Sequence, residues 1–361
     1  MTHSVVTAAL GLLLLAVWVP TKASSQNYEA GHEIEINQSS AIYNHPAGIN
    51  TEGGDVFLDV SFIYWQARQG GMSLAIPFPD FGTSITTGPQ GSVIYQNFDY
   101  KPGFKLEAGF RSDDFDDWGG KIEYTWLHGT HSTGANVTNA ATTGAFFSYW
   151  FLGQRNTSFL GFNSKWNLEF DSFVFGLFRT YYVGKRLTLM PFYGGQWGWV
   201  RQELNFDFFL RSPVVGLPAP ATVVNSSTSW FVGPRVALST NWMLGYGVRL
   251  IGNTGVGVVY QSFKARHIES EVDNVAQGVG PSTKIAVKQM RPNFDMQIGM
   301  GWGTYAWNRK FHFDLSATYD FMMFAAQNMM RMLSDYSHPG VESQPGNLYF
   351  QGLTMKGQFN F

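Results

Sequence analysis

From Asp55 to the C-terminus the chain repeats runs of about ten residues in which polar and apolar side chains alternate, the period of a β-strand rather than a helix. In 55–67, Val56, Leu58, Val60, Phe62 and Tyr64 share one face and Asp59 and Ser61 take the other. In 103–111, Phe104, Leu106, Ala108 and Phe110 alternate with Lys105, Glu107, Gly109 and Arg111, and 120–128 sets Ile122, Tyr124 and Trp126 against Lys121, Glu123 and Thr125. Further runs occupy 166–183, 187–201, 229–239, 246–262, 291–303, 310–323 and 348–361. Beyond the first residues, no stretch reaches the roughly 18 consecutive apolar residues that a membrane-crossing helix requires.

Composition decides what the apolar faces meet. Charged residues make up only 14% of 361, while aromatics reach 16% and glycines number 40. That is too little charge to clothe a water-soluble surface, and it suits strands that turn aromatics towards lipid. In hydrocarbon every backbone amide must be paired, so strands there close on themselves. The expected fold is all-β: a transmembrane, antiparallel, up-and-down β-barrel over 55–361, with about ten strands. If 68–102 or 129–165 hides another hairpin, the count becomes twelve.

The connections 68–102, 129–165, 202–228, 263–290 and 324–347 read as long loops, and those between them are short. Short turns on one side and long outer loops on the other set the orientation, with both chain ends in the periplasm. Val5 to Val19 is an apolar run followed by Pro20 and Thr21-Lys22-Ala23, so residues 1–23 read as a cleaved signal peptide. Residues 24–54 read as a polar periplasmic extension. Trp65, Trp126, Trp197, Trp199, Trp230 and Trp302 suit aromatic girdles at the membrane surfaces. Cysteine is absent and formal net charge is −2, which excludes disulfides, thiolate chemistry and any basic surface for nucleic acid.

The faces opposite the lipid side carry the candidate lumen lining: Lys105, Glu107, Arg111, Lys121, Glu123, Gln196, Arg235, Arg249, Asn253, Asp295, His312, Asp314, Asp320 and Lys356. Arg111 and Glu123 are placed to pair diagonally across one hairpin, and Arg179 is read as inward. These charges either line a constriction or fill a narrow lumen, since barrels of about eight strands are packed and those of 16 to 18 hold water. His312 and Asp314, two apart on one face, resemble the His and Asp couple of omptin proteases. They lie at the periplasmic end without a matching acidic pair, so no enzyme is expected. His128 and His131 read as exposed loop histidines lacking a third metal ligand, and no metal or cofactor is expected. Gly245-x-Gly247 and Gly255-x-Gly257 are hairpin glycines, since no helix follows to make a dinucleotide loop.

Several blocks resemble the Legionella-type pore-forming outer-membrane proteins, a family of major-outer-membrane-protein-like porins. They are Gly103-Phe104 with Gly109-Phe110, Asp117-Trp118 leading to Glu123-Tyr124-Thr125-Trp126, and Arg179-Thr180-Tyr181-Tyr182-Val183 before Leu189 to Gly194. The most specific is Trp230-Phe231-Val232-Gly233-Pro234-Arg235, and Gln351-Gly352-Leu353-Thr354 opens a similar final strand. The resemblance implies residence in a bacterial outer membrane and passive diffusion of small hydrophilic solutes. The alternative is a closed-lumen structural or surface-binding barrel. Implied partners are outer-membrane lipids, small solutes and the barrel assembly machinery, with Phe361 as the terminal aromatic that the machinery reads. A homo-oligomer is compatible with this reading.

Overall fold

A computed structural model describes residues 55–78, 91–112, 118–136, 145–151, 159–183, 186–210, 219–270, 282–306, 311–336 and 345–360. The expected signal peptide, the extension 24–54 and Phe361 lie outside the described residues.

Ten antiparallel strands close into one barrel. In order they are β1 (Asp55–Gln69), β4 (Tyr100–Ser112), β5 (Trp118–Asn136), β7 (Phe159–Arg179), β9 (Leu187–Leu210), β10 (Ala219–Gly245), β11 (Val248–Ser270), β12 (Ser282–Ala306), β13 (Phe311–Phe324) and β14 (Leu348–Asn360). β14 pairs back onto β1, from Leu348 opposite Gln69 to Asn360 opposite Phe57, so no edge is left open. The segments suspected of hiding a hairpin do contain strands, β2 (Ser73–Phe78), β3 (Ile94–Tyr95) and β6 (Ala145–Phe147). They pair chiefly with one another, while β5 pairs directly with β7 and β7 with β9. The wall therefore stays at ten strands, not twelve. A short β8 (Tyr181–Val183) folds onto the start of β9.

Within the wall the alternation behaves as an inside-out protein requires. Val56, Leu58, Val60, Phe62 and Tyr64 are exposed, while Asp59, Ser61 and Lys105 are buried. On β10 the exposed residues of the lipid face run from Trp242 up to Trp230. Twelve steps of about 3.3 Å at a tilt of about 40° span about 30 Å, the depth of a hydrocarbon core.

Above that level the strands continue and the pattern inverts. On β9, Arg201, Glu203 and Asp207 are exposed, whereas Leu204, Phe206 and Phe208 are fully buried. β10 buries Ala221 and Val223 inward at the same height. The expected long loops 202–228 and 263–290 are thus mostly hairpin, with only 211–218 and 271–281 between the strands. The physical reason is the change of solvent. Once the outer face meets water, a strand is stable with polar residues outward and apolar residues packed inside.

One helix sits inside this crown. α1 (Met329–Tyr336) interrupts the expected loop 324–347. Asn328 caps it, its Oδ1 accepting from the Arg331 amide at 2.9 Å. Met329, Met332 and Leu333 pack against Phe263 and Ala265 of β11. Arg331 bonds Asp335 one turn on at 2.7 Å and covers the Tyr149 and Trp150 rings. No described helix is long and apolar enough to cross a membrane.

Candidate functional site in the barrel lumen

Period two delivers the candidate lumen lining named from the sequence to the inner face of the wall, Arg179 excepted, and register decides the pairing. β1 sets Asp59 two residues from Ser61, the partner of Lys356, and the Asp59 carboxylate and Lys356 ammonium meet at 2.8 Å. Lys121 reaches Glu107 across β4 and β5 at 3.0 Å. Lys105 crosses to Asp320 of β13 at 3.3 Å, its ammonium lying 4.5 Å from the centre of the Trp65 ring. Arg235 bonds Asp295 at 2.7 Å, and Arg249 grips Asp314 with both terminal nitrogens. Cations and carboxylates alternate around the lumen, as low local dielectric demands of buried charges.

The expected diagonal between Arg111 and Glu123 does not form. Arg111 stands opposite Gly119 and Glu107 opposite Glu123, so the two expected partners sit four residues apart along the ladder. Glu107 takes Lys121 instead. Arg179 has the parity of exposed Leu177, outward at the end of the barrel away from α1, and lies 5.0 Å from the Tyr181 ring. Along β7 Phe175 is exposed and Phe178 is buried inward, which fixes the face of each residue between them.

Amides and hydroxyls join the ion pairs. Gln196 and Asn293 exchange two hydrogen bonds of 2.8 Å across the lumen. Asn253 donates to Gln297 at 2.7 Å, and Gln297, Thr318 and Thr354 donate to Asp320 at 2.6–2.9 Å. Space for this network comes from glycine. A Cβ on Gly255 would lie 2.6 Å from Arg235 and 2.8 Å from Asp295, and one on Gly257 would lie 2.1 Å from Gln196. Those glycines therefore serve close approach of side chains. A cavity of about 300 Å³ remains, lined among others by Asp59, Glu107, Arg111, Arg249, Asn253 and Lys356. A second of about 80 Å³ adjoins Lys105, Gln196, Arg235, Asp295 and Asp320.

His312 and Asp314 line neither cavity. Asp314 is held by Arg249, and the His312 Nδ1 lies 2.9 Å from the Asn360 amide nitrogen. The two are therefore tied to separate partners on β11 and β14. His128 and His131 also differ from expectation. Both lie within β5, and a spacing of three puts them on opposite faces. His128 contacts Asp171 at 3.1 Å on the outside, while His131 is buried inside against the Phe98 and Trp166 rings. Among the described residues no group of three or more His, Asp or Glu side chains is arranged to hold a metal.

Immediately above the polar layer the lumen is crossed by aromatic rings. Trp65 on β1 meets Phe350 on β14 at 6.2 Å, Phe350 meets Phe170 on β7 at 4.6 Å, and Phe170 meets Phe324 on β13 at 5.6 Å. Phe324 then meets Phe231 on β10 at 5.4 Å. β1 and β10 stand on opposite sides of the barrel, so this chain of rings spans it from wall to wall. All five are at most 1% exposed. Trp65 thus belongs to this seal and not to a girdle, whereas Trp197, Trp230 and Trp302 are exposed outward as expected. Sequence reading missed the seal because its residues sit in the phase otherwise occupied by polar lumen groups. The signal that marks it is Phe or Trp at inward positions at the upper end of five separate runs.

A lipid-facing belt, a charge-paired lumen and a closed ladder together define an integral β-barrel of the outer membrane. The chain belongs to the family described as Legionella pneumophila major outer membrane protein precursor, which matches residues 54–361. Solved structures to which the chain shows similarity include the outer membrane protease OmpT from Escherichia coli. It is 10% identical with a TM-score of 0.36, over 88% of this chain and 100% of that one. A major outer membrane protein from Thermus thermophilus is 9% identical with a TM-score of 0.29, over 86% and 100%. The P. putida toluene transporter TodX is 10% identical with a TM-score of 0.26, over 88% and 93%. No curated protein sequence matches the chain.

Proposed function

We propose that this outer-membrane barrel is sealed at rest and works through its extracellular crown, as a structural, surface-binding protein without enzymatic activity. The observation that carries this reading is the wall-to-wall chain from Trp65 to Phe231. Its rings are borne by barrel strands rather than by a loop, so opening it would separate residues of the hydrophobic core. The N-terminal residues 1–23 direct export and are removed, and Phe361 presents the last strand to the assembly machinery.

The second reading is a porin passing small hydrophilic solutes by diffusion. The charged cavity of about 300 Å³ below the seal favours it, as does the resemblance to pore-forming proteins. Planar bilayers separate the two. The purified full chain is expected to leave the membrane silent, and a variant combining Phe170→Ala with Phe350→Ala is expected to produce stepwise conductance. Steps from the unaltered protein would overturn the sealed reading in favour of the porin.

A further inference from the structure

The crown is not uniform in charge around its circumference. On β7 and β9 the outward cation Arg201 is matched by Glu169 at 2.9 Å, and Glu203 and Asp207 stand nearby on the same face. On β11 and β12 the outward positions above the membrane level are Lys264, Arg266, Lys284 and Lys288, all exposed. Register places Arg266 directly opposite Lys284, and Ser262 opposite Lys288 with Lys264 on the next outward position. Among the described residues no carboxylate shares this face. β10 offers Thr222, Val224, Ser226 and Thr228 outward, and Glu269 of β11 is turned inward onto His267 at 2.9 Å.

Like charges facing each other across an antiparallel pair destabilise it, so four clustered cations without an acid are an unsatisfied arrangement. Their height identifies what satisfies them. Lys288 is two residues above Met290, which is exposed on the lipid face; register sets Tyr260 opposite Met290, and Trp230, opposite Ser262, meets the Tyr260 ring at 5.7 Å. Two residues of tilted strand raise Lys288 only about 5 Å above the apolar belt. That is the layer of lipid headgroups, and Lys264 at about 10 Å with Arg266 and Lys284 at about 15 Å extend the cluster through the depth of a large sugar-phosphate headgroup. A soluble anion would have no reason to collect there, whereas a lipid whose chains lie along Met290, Ile298 and Val258 carries its headgroup to this height.

We propose that the outward face of β11 and β12 binds a phosphorylated lipid headgroup of the outer leaflet, with Lys264, Arg266, Lys284 and Lys288 as its phosphate contacts. The site stands outside the lumen and is independent of whether the lumen conducts.

The test uses the detergent-purified full chain and three probes: diphosphorylated lipid A, the same lipid with both phosphates removed, and inorganic phosphate. Retention is read by native mass spectrometry after delipidation. The diphosphorylated lipid is expected to bind, and the other two are not. Replacing all four cations by Gln is expected to abolish retention, at about fivefold in affinity per cation removed. Lys264→Arg with Lys284→Arg and Lys288→Arg keeps the charge and is expected to retain the lipid. Arg201→Gln is the control and leaves binding unchanged. The four-Gln variant is required to keep the unheated gel mobility of the folded barrel. Equal binding of the dephosphorylated lipid, displacement by millimolar inorganic phosphate, or undiminished retention by the folded four-Gln variant would each overturn the proposal.

Discussion

Asp320 accepts from Lys105, Gln297, Thr318 and Thr354 inside the lumen, and this concentration of donors on one carboxylate decides what its loss costs. Removing one member of a buried pair leaves an uncompensated charge, so Asp320→Ala is expected to lower stability by about 3–5 kcal/mol. Arg201→Ala, at an exposed pair, is expected to cost about 1 kcal/mol or less. Urea unfolding of the barrel in micelles measures both, and equal effects would refute the distinction. At His131, five residues above Trp126 and so outside the membrane span, burial and then the Lys101 charge hold the imidazole down to about 4, partly opposed by Asp99. The Asp99 amide donates to its Nδ1 at 2.9 Å, an arrangement that needs the neutral ring. Unfolded, the same ring titrates near 6.5. Its contribution is therefore complete above pH 6.5 and lost as pH falls towards 4. Hydrogen exchange of the crown, corrected for intrinsic rates, is expected to accelerate across that window, and His131→Asn is expected to flatten the change. At this scale the sequence disclosed which side chains face inward, because period two is insensitive to register. It could not disclose partners. Arg111 and Glu123 parted because the register of β4 on β5 is set by the turn between them, whose length alternation does not report.

α1 shows what alternation hides at the scale of elements. A single short helix inside a stretch of 24 residues adds no period-two signal, although Asn328 before Met329-Met330 and Leu333 is a recognisable cap and apolar stripe. The helix lies against the inner wall of the crown by packing Met329, Met332 and Leu333 on β11 and β12. Leu333→Asp is expected to release it, exposing Arg331 to trypsin while the barrel below stays resistant. Unchanged resistance at Arg331 would show that the helix is held by other contacts. The long hairpins were half legible. Their membrane portions follow one rule, and β9 and β10 continue above it with polar and apolar faces exchanged, so a search for a constant phase ends the strands near Val200 and Ser229.

The molecule as a whole is a cylinder in which three interiors are stacked: a charge-paired lumen, an aromatic seal and a crown that packs aromatic and aliphatic side chains around a few polar pairs. Phe170 and Phe350 join β7 to β14 across the axis and so tie early and late strands together. Phe350→Ala is expected to destabilise the barrel by about 3–5 kcal/mol, more than any single lipid-facing Phe, because only the interior position leaves a cavity. The comparison with Phe62→Ala, exposed on the lipid face, is made in one micelle system. A larger effect at Phe62 would refute the seal as the stabilising layer.

The exchange of faces along β9 and β10 also bears on proofreading during assembly. In a strand with one buried face, a slip of one residue misplaces one set of side chains. Here the same slip would turn Gln196 and Arg235 into lipid and at once push Phe206 and Phe208 into water. The two halves act like the paired scales of a vernier, agreeing at one alignment and penalising every neighbour twice. A hairpin built this way carries two independent checks on its register.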